Sequence, residues 1–268
     1  MVPSDDDLEP SAPSEAEESA PLVLVPVAAE DVARQQRRTK LAIGAAVLAV
    51  LLGVGYVYKR ATDPIHARES FEQGMRLFAL GRYPQAILAF DRVTSLAPEM
   101  ADAYLMRGRA YAADNKIDRA IADFAKSLQL RPNDTQALLA RGREWLDVKD
   151  FQSAVADANR ALEIDSRFAP AYNLRGVAVR SLGDPRRALD DLTRAIQLSP
   201  DSDNYFQRGA TYQMLGDHER ALADLNKMIA IQPGSAPAYF ARAESRLALG
   251  DVQGAEQDRL QGRYLDGR

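Results

Sequence analysis

The sequence predicts an all-α fold: an α-solenoid of about six stacked helix pairs, preceded by one transmembrane helix and a disordered acidic tail. Three observations carry this. Gly74, Gly108, Gly142, Gly176 and Gly209 stand 34, 34, 34 and 33 residues apart, and Ala243 takes the same place 34 residues on. A second small-residue series, Ala86, Ala120, Ala154, Ala188, Ala221 and Ala255, keeps step with the first. Residues 41–58 hold 18 positions without a charge. A fixed period in this range marks helix pairs that bury their apolar faces only by stacking on one another. Such a fold works by presenting a surface.

Residues 1–33 form the expected tail. They contain nine Asp or Glu, no Lys or Arg, and five Pro at positions 3, 10, 13, 21 and 26. High charge with low hydrophobicity does not repay the entropy of ordering, so the segment reads as disordered. The run Leu22, Val23, Leu24, Val25 is either a docking peptide or an incidental apolar patch.

Residues 34–60 are the expected anchor with its basic flanks. An 18-residue helix is roughly 27 Å long, close to a bilayer core of about 30 Å. Tyr56 and Tyr58 fall where an interfacial belt lies. A cleaved signal peptide or a buried soluble helix competes with this reading. Against the first, about 40 residues precede the apolar core, and Tyr56 to Arg60 follow it where a small-residue cleavage site belongs. Arg34, Arg37, Arg38 and Lys40 lie before the span; Lys59, Arg60 and Arg68 lie after it. The positive-inside rule then places the N-terminus in the cytoplasm and the repeats on the extracytoplasmic, periplasmic side, by a margin of one charge. Ala45, Ala49 and Gly53 make a small-residue stripe, on which two anchors could pair as a weak homodimer. Residues 61–66 read as a linker.

The repeats run 67–100, 101–134, 135–168, 169–201, 202–235 and 236–268. Residues 101–134 show the internal logic. Tyr104, Met106, Gly108 and Tyr111 lie at helical spacing, and Gly108 admits a neighbouring helix. Ile117, Ala120, Ile121, Phe124 and Leu128 form the stripe of a second helix that Pro132 ends. Gly81, Gly183, Gly216 and Gly250 stop the first helices of their units at positive φ. Asp150, Asp184, Asp217 and Asp251 cap the second helices, and Pro84 and Pro185 sit in first turns.

The run Tyr104, Gly108, Tyr111, Ala120, Phe124, Pro132 resembles the tetratricopeptide repeat (TPR), over residues 67–268. The resemblance implies a right-handed superhelix. The third unit departs with Ala158 for the aromatic and Ser166 for the Pro. The sixth departs most, with Ala243, Arg246 and Arg259 at apolar or small positions, and is expected to cap the stack.

A co-pattern accompanies the repeat. Arg precedes the small residue in five units (Arg107, Arg141, Arg175, Arg208, Arg242), and Asp follows 16 positions later (Asp123, Asp157, Asp191, Asp224, Asp258). The first unit has Gln73 and Ala89 and lacks both. Joint presence and absence predicts an ion pair inside each unit, where a planar guanidinium fork suits a half-buried carboxylate.

Composition narrows the function. The whole chain carries −4; the tail carries −9, leaving 28 basic and 29 acidic residues in 61–268. That lacks the basic footprint of a nucleic-acid binder. Without Cys there are neither disulfides nor thiolate ligands. His66 and His218 have no His or Cys at metal-ligand spacing, and no phosphate-cradling or nucleophile motif occurs. No cofactor, metal or catalytic residue is expected, and the chain reads as a binding module.

In the family, first helices of successive units line a concave groove. The resemblance therefore implies groove positions three before, one after and four after each small residue: Phe71, Met75, Phe78, Leu105, Arg109, Leu139, Arg143, Asn173, Arg180, Phe206, Gln213 and Phe240. Arg beside exposed Phe reads as a recognition surface; the alternative is solvated Arg and Phe packed sideways between units. The expected ligand is an acidic protein segment with apolar anchors. The family's clamp for acidic chaperone tails uses Lys and Asn in its opening units, and Phe71 and Met75 take those places here. By architecture alone the chain looks like bacterial inner-membrane TPR proteins that attend secretion or envelope assembly. A cytosol-facing regulatory adaptor and a structural homo-oligomer are the alternatives.

Overall fold

Residues 29–267 are described by the structure, a computed structural model, and form twelve helices without strands. The chain divides into two compact units, Met1–Tyr58 and Lys59–Arg268. Helix α1 (Ala29–Ala79) includes residues of both. Of the expected tail, residues 1–28 lie outside the described residues, and 29–33 are helical. The expected linker 61–66 is helical too, with Pro64 inside α1. One Pro removes a single backbone donor, and no Gly or second Pro in this stretch opposes the helix.

In the first unit, Gln36–Tyr56 is long and apolar enough to cross a membrane, and none of it is buried inside the protein. Leu41, Ile43, Leu48, Leu51 and Leu52 are all exposed.

The second unit is the repeat domain. The last part of α1 pairs with α2 (Tyr83–Leu96), and α3 (Ala101–Ala113) pairs with α4 (Ile117–Leu130). The same pairing joins α5 (Thr135–Asp147) to α6 (Phe151–Ile164) and α7 (Ala169–Ser181) to α8 (Pro185–Leu198). It ends with α9 (Ser202–Met214), α10 (His218–Ile231), α11 (Ala236–Ala248) and α12 (Val252–Asp266). Phe71 and Gly74 of α1 meet Phe90 of α2; from α2 onward each helix packs on the next, and α3, α5, α7, α9 and α11 also pack in succession on one another.

The turn inside each pair has one geometry. Gly81, Gly183, Gly216 and Gly250 take φ of 70, 94, 78 and 85°. Units two and three put Asn115 and Lys149 there, at φ 58 and 62°. Asn visits this region readily; Lys does so at a steric cost. The following Asp closes the turn. Asp150, Asp184, Asp217 and Asp251 accept the backbone N–H of Ser153, Arg187, Arg220 and Gly254. Asp134 and Asp201 cap first helices in the same way.

Close approach of the two helices needs the small residue. A Cβ on Gly108 would lie 2.7 Å from the Phe124 ring, and one on Gly74 would lie 2.6 Å from Phe90. In the third unit Ala158 leaves that space open, and Leu174 from α7 fills it against Gly142. Phe90, Phe124, Leu192 and Leu225 are fully or almost fully buried at this position.

The five Arg–Asp pairs form as the co-pattern predicts. Nε and Nη2 of each Arg donate to the two oxygens of its Asp, at 2.6–2.9 Å. The carboxylates are buried and the guanidinium groups keep a partial opening to water. A second arm went unread in the sequence. Nη1 of Arg107, Arg175, Arg208 and Arg242 reaches back to Asp91, Asn159, Thr193 and Asn226 on the preceding unit's second helix. Each brace therefore joins two helices of one unit and also staples that unit to its predecessor. Arg141 is the exception, because Ala125 stands where its acceptor would be. Hydrogen bonding to Asp123 pushes the Arg107 pKa further up, and the other stapled arginines shift likewise. In the sixth unit Arg246 replaces the aromatic, and its guanidinium donates to the Gly254 carbonyl and pairs with Asp258 at 3.0 Å.

Candidate functional site

The residues three before each small residue, Leu139 excepted, are packed against neighbouring helices or bonded to the next unit. Phe71 packs edge-on against Phe90, with centroids 5.7 Å apart. Leu105 and Leu139 are each 7% exposed. Phe206 packs on the cluster of Met228, Ile229 and Ala238, and Phe240 lies over Gly262 of α12. Asn173 donates to Asp203 and Asn204 of the next unit. Phe71, Phe206 and Phe240 are half-buried against neighbouring helices, which favours the alternative of Phe packed sideways over exposed anchors at these three positions. Covering part of such a ring with apolar neighbours gains roughly 25 cal/mol per Å² of apolar surface taken from water, which favours this packing over leaving the ring in solvent.

Two more expected groove residues serve as bridges between units. Arg180 donates to the Gln207 carbonyl at 3.0 Å and to Thr211 Oγ1 at 3.2 Å. A further bond runs to Gln207 Oε1, and burial lowers the pKa of this guanidinium. Gln213 donates to the Ala241 carbonyl at 2.6 Å and to Ser245 Oγ at 2.8 Å. In the C-terminal half, the face is thus closed by its own side chains.

The N-terminal half is different. Phe78, Arg109, Leu139 and Arg143 come together around one open depression of about 410 Å³, with Ala112, Phe124, Gln136, Ala140 and Glu144. Phe78 is held by Tyr83, ring centroids 5.5 Å apart. Met75 is 39% exposed on α1 and does not line the depression. Arg109 and Arg143 make no ion pair among the described residues. Both can therefore meet a partner's carboxylate without first breaking a bond.

Glu144 is the functional candidate that the repeat pattern missed. It is only 8% exposed, and its Oε2 is buried without a hydrogen-bond partner among the described residues. Burial, with the nearby Asp147 charge adding, raises its pKa to about 7; Arg143 opposes the shift. The signal was legible in register: the residue two after the small one is Arg76, Ala110, Ala178, Thr211 or Ser245 in the other five units, and only here an acid.

Among the described residues no group of three or more His, Cys, Asp or Glu is placed to hold a metal ion. The arrangement offers charge, apolar surface and hydrogen bonds along a helix face, which suits binding.

Known proteins agree with this architecture. No curated protein matches the chain in sequence. Among solved structures it is similar to MamA at 26% identity, with a TM-score of 0.52, covering 60% of this chain and 94% of that one. It is similar in fold to TTC0263, a thermophilic TPR protein of Thermus thermophilus, at 19% identity and TM-score 0.59, covering 68% and 99%. A third, YrrB, is described as a TPR protein with an unusual peptide-binding site; it matches at 22% identity and TM-score 0.52, covering 65% and 90%. Tetratricopeptide repeat models match residues 71–135, 139–203 and 202–235, together more than half of the sequence. Repeats of this kind are interaction scaffolds, suited to protein or peptide ligands. This chain belongs to the tetratricopeptide repeat family.

Proposed function

We propose that this protein is a membrane-anchored TPR scaffold that holds a protein segment against the first helices of its opening units. The anchor is residues 41–58, the N-terminus is cytoplasmic, and the repeats act on the periplasmic side in assembly or quality control of envelope or secretion machinery. One observation carries the reading: Arg109 and Arg143, without an ion pair among the described residues, line a depression that includes Phe78 and Leu139. The ligand is therefore acidic, with apolar side chains for the depression. The charges set on-rate and register, and the apolar contacts set residence time. The peptide-binding site attributed to YrrB is consistent with such use of the fold.

Charge reversal tests this. Arg109→Glu with Arg143→Glu, in the full chain, should abolish capture of a partner crosslinked in intact cells while leaving helical content and melting unchanged. Rising salt should weaken the wild-type interaction steadily. Undiminished capture by the reversed protein would move binding off this face. Protease protection of the repeats in sealed vesicles, with retention after alkaline carbonate washing, tests anchor and orientation; cleavage from the cytosolic side would instead support a cytosol-facing adaptor.

A further inference from the structure

The junctions between successive first helices follow one rule with one exception. The residue four after the landmark small residue meets, in the next unit, the residue two after its landmark. Phe78 packs into the cluster that contains Ala110, and Leu146 into the one that contains Ala178. Arg180 donates to Thr211, and Gln213 to Ser245. An apolar side chain thus shares a cluster with Ala, and a donor meets a hydroxyl. Between units two and three the rule fails: Ala112 and Glu144 stand at the paired positions and line the same depression. A buried acid is present, and the donor that should cross to it is missing. Glu144 Oε2 is left buried and without a hydrogen-bond partner among the described residues.

The chain shows what fits such a place. Gln207 and Thr211 occupy, in unit five, the positions that Ala140 and Glu144 occupy in unit three. There the Gln207 carbonyl and Thr211 Oγ1 hold the guanidinium of Arg180. We infer that the depression between α3 and α5 receives the guanidinium of an arginine from the bound segment, donating to Glu144 as Arg180 donates to Thr211. The methylene stem lies along Phe78, Ala112 and Leu139, all of which line the depression. Arg109 and Arg143 at the same site would repel a lone cation. The arginine must therefore be flanked by acidic residues, which pair with these two guanidinium groups. The inference rests on the groove reading above and adds to it the residue that is read. An unsatisfied buried acid makes such a site selective, because a segment without the donor leaves it unpaired.

The test uses the full chain in detergent micelles and a fluorescent synthetic peptide, with one arginine between two aspartates and a leucine at each end. Its counterpart carries alanine in place of the arginine. The arginine peptide should bind at least about tenfold more tightly, as expected for a charge-assisted hydrogen bond, and Glu144→Gln should erase most of that preference. Ala112→Arg supplies the missing donor from within. It should raise the melting temperature by about 2–4 °C and block the peptide, and the thermal gain should vanish when Glu144→Gln is added. Equal binding of the two peptides overturns the inference and leaves the groove reading standing. Binding of neither overturns both. An Ala112→Arg chain that melts no higher than wild type also overturns the inference, whatever the peptides do.

Discussion

Arg141 and Asp157 form the barest of the five braces, and cutting it gives the cleanest measure of what the motif contributes. Its two hydrogen bonds are 2.9 and 2.6 Å long. Ala125 stands where the Arg141 acceptor on the preceding unit would be, and Leu138 stands where units two, four and six place the Tyr that stacks on the Arg. The side chains are 22% and 7% exposed, so the carboxylate is the more deeply committed partner. Removing one member of a buried pair costs about 3–5 kcal/mol, mainly through the charge left behind. Arg141→Ala strands the buried carboxylate and should cost about 3–4 kcal/mol, within that range. Asp157→Ala leaves a guanidinium that still reaches water and should cost about 2–3 kcal/mol. In the double variant no charge is stranded, so the loss should fall short of the summed singles by about 1–3 kcal/mol. Urea unfolding of the full chain in micelles, followed by circular dichroism, gives all four corners of the cycle. Arg175→Ala should cost more than Arg141→Ala, since it also loses Asn159 and the Tyr172 ring. Additive losses at Arg141 and Asp157 would refute the coupled brace.

Two further outcomes follow from the same physics. Glu144 has its pKa raised by burial from 4.5 to about 7, so between those values the folded chain holds a proton that the unfolded chain has lost. Stability should fall as pH rises through that window, by up to about 3 kcal/mol in all at about 1.4 kcal/mol per unit, and stay level above it. Urea midpoints at pH 5 and pH 8 should therefore differ less in Glu144→Gln than in wild type; an equal difference would count against the buried acid. At the unit-three turn, Lys149→Gly should raise stability by about 0.5–1 kcal/mol, as relief of positive-φ strain outweighs the greater freedom of the unfolded chain. Asn115→Gly should gain less, and a loss at Lys149 would show that the turn is unstrained.

The solenoid was legible because its determinants are periodic. A small residue recurs wherever two helices touch, and Gly108 beneath Phe124 shows why no larger one serves. The Arg–Asp braces were legible because the two residues appear and disappear together. Their second arm was not, because its acceptors are chemically mixed: Asp91, Asn159, Thr193 and Asn226 share a position but not a residue type. The candidate site was only half legible. Family geometry singled out Phe78, Arg109, Leu139 and Arg143, which do converge. It also singled out Phe206, Gln213 and Arg180, which sequence cannot distinguish from groove residues, because whether a side chain faces water or bridges two units depends on what the next unit offers. Thr211 and Ser245 offered acceptors, and the long polar side chains took them. Glu144 escaped notice for the converse reason. Its significance lies in what Ala112 fails to provide.

The central claim is that the first-helix face of the opening units holds a protein segment, and position-specific crosslinking in intact cells tests it most directly. A photo-reactive residue at Gln136 or Arg143 borders the depression, whereas one at Gln129 or Ala223 lies exposed on a second helix. The account predicts one shared partner segment crosslinked from Gln136 and Arg143, rich in acidic residues around an arginine, and none from Gln129 or Ala223. Crosslinks to a partner from the second-helix positions alone would contradict it.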